Sequence, residues 1–203
     1  LAIAARDQLD ETVRRADPDR WLTSRFVADP EARHDLIILY AFDAELARAR
    51  RVTSSAPMAQ IRLTWWSEAL EEISSGSRPR SHPVALALAD MVRRRQIPLG
   101  PLRAMIEGRI EAAELEPFDI TAAERWAEAV GGSAAESGAA ILGAGVNSAA
   151  ARTAGRTFAL SGLVRSGRLS IESARPTLIE TLSTANRSLQ GLPAAAFPAV
   201  AAA

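Results

Sequence analysis

Prolines set the frame of this chain, because they fall where helices start and the stretches between them carry apolar side chains at helical spacing. Asp17-Pro18 and Asp29-Pro30 each place an N-cap acid before a proline at the first helical position. Pro57, Pro83, Pro98 and Pro176 fit the starts of further helices, and Thr121-Ala-Ala-Glu124 reads as a capping box. Leu36, Leu39, Tyr40, Leu46 and Val52 form one inward stripe. Ile61, Trp65, Ala69 and Ile73 form a second, and Val84, Leu88, Met91 and Val92 a third. The spacing predicts helices near 2–15, 18–27, 30–53, 57–74, 83–95, 99–114, 121–130, 133–144, 147–166, 175–190 and 194–202. Gly131-Gly132 and Gly143–Gly145 are expected to break one long helix, and Ser74–Ser81 to be a loop. No strand or hairpin signal intervenes, so the fold class is all-α, a helical bundle.

Hydrophobic residues make up 48% of the 203 residues, enough for one core, but only 5% are aromatic, so alanine and leucine must fill it. Alanine's helix propensity agrees with the spacing. Acids and bases balance at 24 each, which leaves no basic excess for nucleic acid. Every basic residue is arginine. Schiff-base chemistry and a phosphate-loop lysine are therefore excluded. With no cysteine and only His34 and His82, thiol nucleophiles, disulfides and iron–sulfur clusters are excluded too, and no zinc site is expected.

No apolar run is long enough to span a membrane. Leu1 is not a start methionine, so the beginning reads as trimmed, and no leader pattern remains. The expectation is a cytoplasmic protein, with peripheral contact to the inner membrane left open. Arginine and alanine richness without lysine points to a GC-rich bacterial genome. Arg93, Arg94 and Arg95, one turn after Asp90, read as a basic helix end that complements the dipole, with a membrane or partner contact as the alternative.

The order of features over residues 17–110 resembles the squalene/phytoene synthase family. The residues that carry this are Asp17-Pro-Asp-Arg-Trp21, Leu39-Tyr-Ala-Phe42, Ala44-Glu-Leu-Ala-Arg48, Ile61-Arg-Leu-Thr-Trp-Trp66 with Glu68-Ala-Leu70, and His82-Pro83-Val84. The likeness is greatest to the divergent branch that includes NADH dehydrogenase (complex I) assembly factor 6. Further on, Trp126 to Gly132 resembles the family's mid-chain helix break, and Phe158-Ala-Leu-Ser-Gly-Leu-Val-Arg165 its second-motif helix. The resemblance implies a bundle of the class I isoprenoid (terpenoid) synthase type, a single domain over 1–203 shortened on its C-terminal side. Of the Arg-Gly-Arg-x-Tyr-Leu-Pro segment usual after that helix, only Gly167-Arg168-Leu169 is similar. A loop after residue 166 is either deleted or lies outside this sequence.

Enzymes of the family ionise a prenyl diphosphate, and Mg²⁺ neutralises the leaving group through oxygen ligands. The resemblance implies two Asp-x-x-x-Asp motifs for this purpose. At the first, this chain has Ala47, Arg48 and Arg51. At the second it has Gly162 and Ser166, and the mid-chain Asp-Leu reads Ala112-Ala113. Guanidinium and methyl groups stand where carboxylates belong, so no metal ligand and no catalytic residue are assigned.

Asp43 lies four residues too early to substitute. Glu107, Glu111 and Glu114 form a row, and Glu68, Glu71 and Glu72 a cluster; both read first as solvated faces paired with arginines such as Arg103 and Arg109. Arg48, Arg50 and Arg51 read either as salt-bridged surface groups or as a metal-free site for a diphosphate or lipid headgroup. Arg62 reads as an interhelical anchor. Of Trp65 and Trp66, one is expected in the core and the other beside a groove. His34-Asp35 is expected to be a surface pair, His82 a turn residue, and Gly143-Ala-Gly145 no dinucleotide site.

The leading expectation is a non-catalytic pseudoenzyme, needing no cofactor, that binds a protein partner or a prenyl or lipid-like ligand, in an assembly role. The alternative is an active prenyl diphosphate transferase with relocated Mg²⁺ ligands. The residues expected around a central cavity are Tyr40, Asp43, Arg48, Arg51, Arg62, Trp66, Glu107, Glu111 and Arg165.

Overall fold

In the computed structural model, which describes residues 2–51, 55–77, 79–112, 118–143 and 148–189, helix follows helix and no strand occurs among the described residues. The helices are α1 (Ala2–Ala16), α2 (Pro18–Ser24), α3 (Pro30–Arg51), α4 (Ala56–Ser74), α5 (Pro83–Arg95) and α6 (Leu99–Glu111). They continue with α7 (Ile120–Ala127), a π-helical turn (Glu128–Gly132), α8 (Ser133–Ile141), α9 (Ser148–Arg165) and α10 (Ile171–Leu189). No helix among the described residues is long and apolar enough to cross a membrane.

Most starts follow the proline frame. The Asp17 side chain accepts the Arg20 backbone N–H at 3.0 Å, which satisfies one of the orphan donors of α2. Two starts differ from expectation. Helix α7 begins at Ile120, because Asp119 rather than Thr121 supplies the cap, accepting the Ala122 N–H at 2.7 Å. Helix α10 begins at Ile171, where the Ser170 hydroxyl accepts the Glu172 N–H at 3.2 Å; Pro176 lies inside the helix on its exposed side. Val52, Ala113, Glu114 and the helix expected over 194–202 lie outside the described residues.

Helix α3 is the centre of the core. Leu36, Ile37, Ile38, Leu39, Ala41, Phe42 and Leu46 are almost wholly buried against α1, α4, α5 and α8. On α4 the expected stripe is rotated: Ala59, Leu63, Trp66, Ala69 and Leu70 face the core, whereas Ile61 is 62% exposed. That helix carries apolar residues on two sides, so spacing alone could not choose between them.

Asp35 is not at the surface. Its carboxylate is sealed from water and accepts Arg94 at 2.6 Å and Arg95 at 2.7 Å, which ties α3 to the end of α5. The arginine triplet therefore crosslinks two helices, and only Arg93 points mainly to water, with Asp90 beside it at 2.6 Å.

The pair Gly131-Gly132 does not break the helix. The backbone widens into the π turn and runs on into α8. Here it crosses α9 so closely that a Cβ on Gly131 would lie 2.3 Å from the Gly155 carbonyl oxygen. Helix α9 ends at Arg165 and is closed by Gly167, whose φ of 71° suits glycine. The Arg168 N–H returns to the Leu163 carbonyl at 2.9 Å and that of Gly167 to Val164 at 3.0 Å, a Schellman ending that fixes Ser166 and Arg168 in place.

Candidate functional site

Four positions singled out by the resemblance to family motifs meet at one cavity. Ala47 and Arg51 from α3, Ala112 from the end of α6 and Ser166 from the end of α9 all line a space of about 550 Å³. Its apolar wall is Leu46, Ala59, Leu63 and Trp126, and its charged wall is Arg50, Arg51, Arg109 and Arg168. No carboxylate lines it among the described residues. Arg168 lies 5.0 Å from the centre of the Phe118 ring and 5.9 Å from that of Trp126, so its charge rests on aromatic faces.

A smaller chamber of about 170 Å³ shares Arg109, Trp126, Ser166 and Arg168 with this cavity and reaches Gly162, a position of the second motif. Asp43 stands in it. Its carboxylate accepts Arg20 at 2.8 Å and Arg109 at 2.7 Å, joining α2, α3 and α6. Arg20 also lies 5.4 Å from the centre of the Tyr40 ring and 5.1 Å from that of Phe158.

Burial dominates the electrostatics of this cluster. It opposes ionisation of Asp43, but Arg109 and Arg20 outweigh it and hold the carboxyl below its ordinary value. The same burial lowers Arg109, which Asp43 only partly offsets while Arg20 and Arg168 repel it. For Arg20 the charges of Asp43 and Asp17 exceed the cost of burial and raise it. Burial pushes the Tyr40 phenol up to about 12, against the pull of Arg20. The cluster is thus a desolvated set of charges in which Asp43 is shared by two guanidiniums, with Asp17 beside Arg20 at 3.6 Å.

The expected residues divide. Asp43 and Arg51 line the two joined chambers, whereas Tyr40 lines neither and is buried in the core, its ring centre 5.4 Å from Arg20. Arg48, Arg62 and Trp66 line a different pocket, with Trp65 and His82. Trp66 is buried and Trp65 half-buried, so one indole is in the core while both touch that pocket. Arg62 is exposed and anchors no carboxylate among the described residues. Arg165 is exposed, 5.5 Å from the Phe158 ring centre. Glu107 is exposed, and Glu111 pairs with Arg125 at 3.1 Å, so α6 turns this row away from the cavity. Glu68 and Glu72 are held by Arg80, and Glu71 by Arg103. No three histidine, aspartate or glutamate side chains converge as a metal ion needs among the described residues.

Arg20, Arg109, Trp126 and Arg168 are site residues that the sequence did not assign to the cavity. Arg20 and Arg168 lie within stretches already singled out, Asp17-Pro-Asp-Arg-Trp21 and Gly167-Arg168-Leu169, which was the available signal. The sequence profile of the squalene/phytoene synthase family matches residues 13–175. A comparison with curated proteins gives no match.

Proposed function

The chain belongs to the squalene/phytoene synthase family, and from that premise we propose that it binds an anionic ligand with an apolar tail in the arginine-lined cavity and does not ionise it. One observation carries this reading: Ala47, Arg51, Ala112 and Ser166 line a common cavity whose charged wall is arginine. Mg²⁺ requires several oxygen ligands; methyl and guanidinium groups supply none, and Ser166 offers a single hydroxyl, which donates to the Gly162 carbonyl at 2.9 Å. The residues present do not fit that ion. Glu107 and Glu111, the acids on which relocated metal binding would depend, stand outside the cavity.

Guanidinium groups bind diphosphate or carboxylate oxygens directly, through charge-assisted and often bidentate hydrogen bonds. Leu46, Leu63 and Trp126 offer an apolar wall for a prenyl or acyl chain. Retention without turnover is the property expected of a binding or assembly protein, and it is the role we assign.

Calorimetry with farnesyl diphosphate tests this, in EDTA and then in Mg²⁺. Binding in EDTA is expected, weakened about tenfold or more by Arg51→Ala, together with no release of pyrophosphate in Mg²⁺. Binding that requires Mg²⁺, or formation of a condensed hydrocarbon, overturns the reading.

A further inference from the structure

Arg48 and Arg51 stand three positions apart on α3 yet line different cavities. The pocket that takes Arg48 has a volume of about 320 Å³ and lies between the end of α3, α4 and the turn before α5. Three rings form its corner. Trp65 and Trp66 are 4.9 Å apart at 87°, and His82 stands 5.6 Å from Trp65 and 5.1 Å from Trp66. Ile61 extends this apolar surface and is 62% exposed.

The charges beside this corner are poorly matched. Arg48 is 61% exposed, and its ion-pair partner Glu45 is 3.6 Å away, too far for a hydrogen bond. Arg62 is exposed and makes no ion pair among the described residues. Two guanidiniums therefore face one carboxylate across an aromatic wall.

We infer that this pocket is a second ligand site, separate from the arginine-lined cavity, which takes a small flat aromatic carboxylate. Each part of that description has a cause. An aromatic corner favours a flat ring, which it contacts by face and edge. The excess guanidinium favours an anion, and a carboxylate reaching Arg62 or Arg48 gains the short charge-assisted bond that Glu45 does not supply. A cationic ligand is disfavoured, because Arg80 already lies 5.2 Å from the centre of the Trp65 ring. The volume is at the small end for ligand pockets, which suits one or two fused rings rather than a long chain.

The test is calorimetric titration of the whole chain with 2-naphthoate, with neutral 2-naphthamide as the control. The acid should bind at one site, about tenfold tighter than the amide, and Arg62→Ala should remove most of that advantage. Ile61→Glu provides a second variant that does not disturb the core, since Ile61 is largely exposed; it should weaken naphthoate by about tenfold through repulsion and a lost contact. No binding at millimolar naphthoate overturns the inference, as does equal binding of the amide. Loss of naphthoate binding in Arg51→Ala would place the ligand in the other cavity and overturn it too. The outcome is independent of farnesyl diphosphate binding, which concerns different residues.

Discussion

Arg109 on α6 donates to the Asp43 carboxylate on α3 at 2.7 Å, and the two side chains are only 11% and 14% exposed. Arg20 completes the cluster from α2 at 2.8 Å. Removing the carboxylate would leave two guanidiniums facing each other in a desolvated chamber. Asp43→Ala should therefore cost about 3–5 kcal/mol in urea unfolding, the range for breaking a buried pair. The pH dependence has a definite sign. Because the folded Asp43 value lies below its ordinary 3.8, its contribution is complete above that pH and is lost as pH falls through the lower folded value. A wild-type protein no more acid-sensitive than Asp43→Asn would contradict this.

Tyr40 gives the complementary test at high pH. It is the only tyrosine, so the phenolate band in the near ultraviolet reports it alone. Its folded value of about 12 is above its ordinary 10.0, so the stabilisation is complete below pH 10 and disappears as pH rises to about 12. The full effect is about 2–3 kcal/mol. A spectrophotometric titration with a midpoint near 10 in the folded protein would refute it.

The tie between α3 and α5 should respond unequally to loss of either side. Arg94 and Arg95 are 36% and 28% exposed and can turn to water, whereas Asp35 is sealed. Asp35→Ala should cost about 1.5–3 kcal/mol, the worth of hydrogen bonds to a charged group. The double variant Arg94→Ala with Arg95→Ala strands a buried carboxylate and should cost about 3–5 kcal/mol. Denaturation midpoints in the opposite order would show that Asp35 can reach solvent.

Two glycine substitutions should have opposite effects. A Cβ on Gly155 would lie 2.2 Å from the Gly131 carbonyl oxygen, so α9 and the π turn would have to separate. Gly155→Ala should cost about 1–3 kcal/mol or more. Gly100 in the first turn of α6 has open space around its Cβ position, and Gly100→Ala should gain up to about 1 kcal/mol from helix propensity. Thermal unfolding of both variants compares them, and a neutral Gly155→Ala would mean that the crossing is looser than it stands here.

Much of the helical frame could be read in advance from Asp17-Pro18, Asp29-Pro30, Pro83 and the stripe along α3, because a cap and a repeat act within a few residues of chain. The errors came where two local signals competed. Thr121 resembled a cap but Asp119 took the role, and Ile61 matched the period but lay on the outer of two apolar faces. The Gly131-Gly132 pair resembled a break because glycine weakens helices, yet its missing side chains are what permit the close approach to α9.

The candidate site was partly visible for the same reason. The resemblance to family motifs singled out Ala47, Arg51, Ala112 and Ser166 from residue order alone. That these positions share a cavity, that Arg48 leaves it for another, and that Asp43 meets Arg109 across 66 residues depend on how the helices rotate and pack against one another. Propensity and capping are local energies carried along the chain. Burial and charge pairing belong to surfaces that come together only in the folded bundle, and they decide which guanidiniums meet a carboxylate in the interior and which line a cavity.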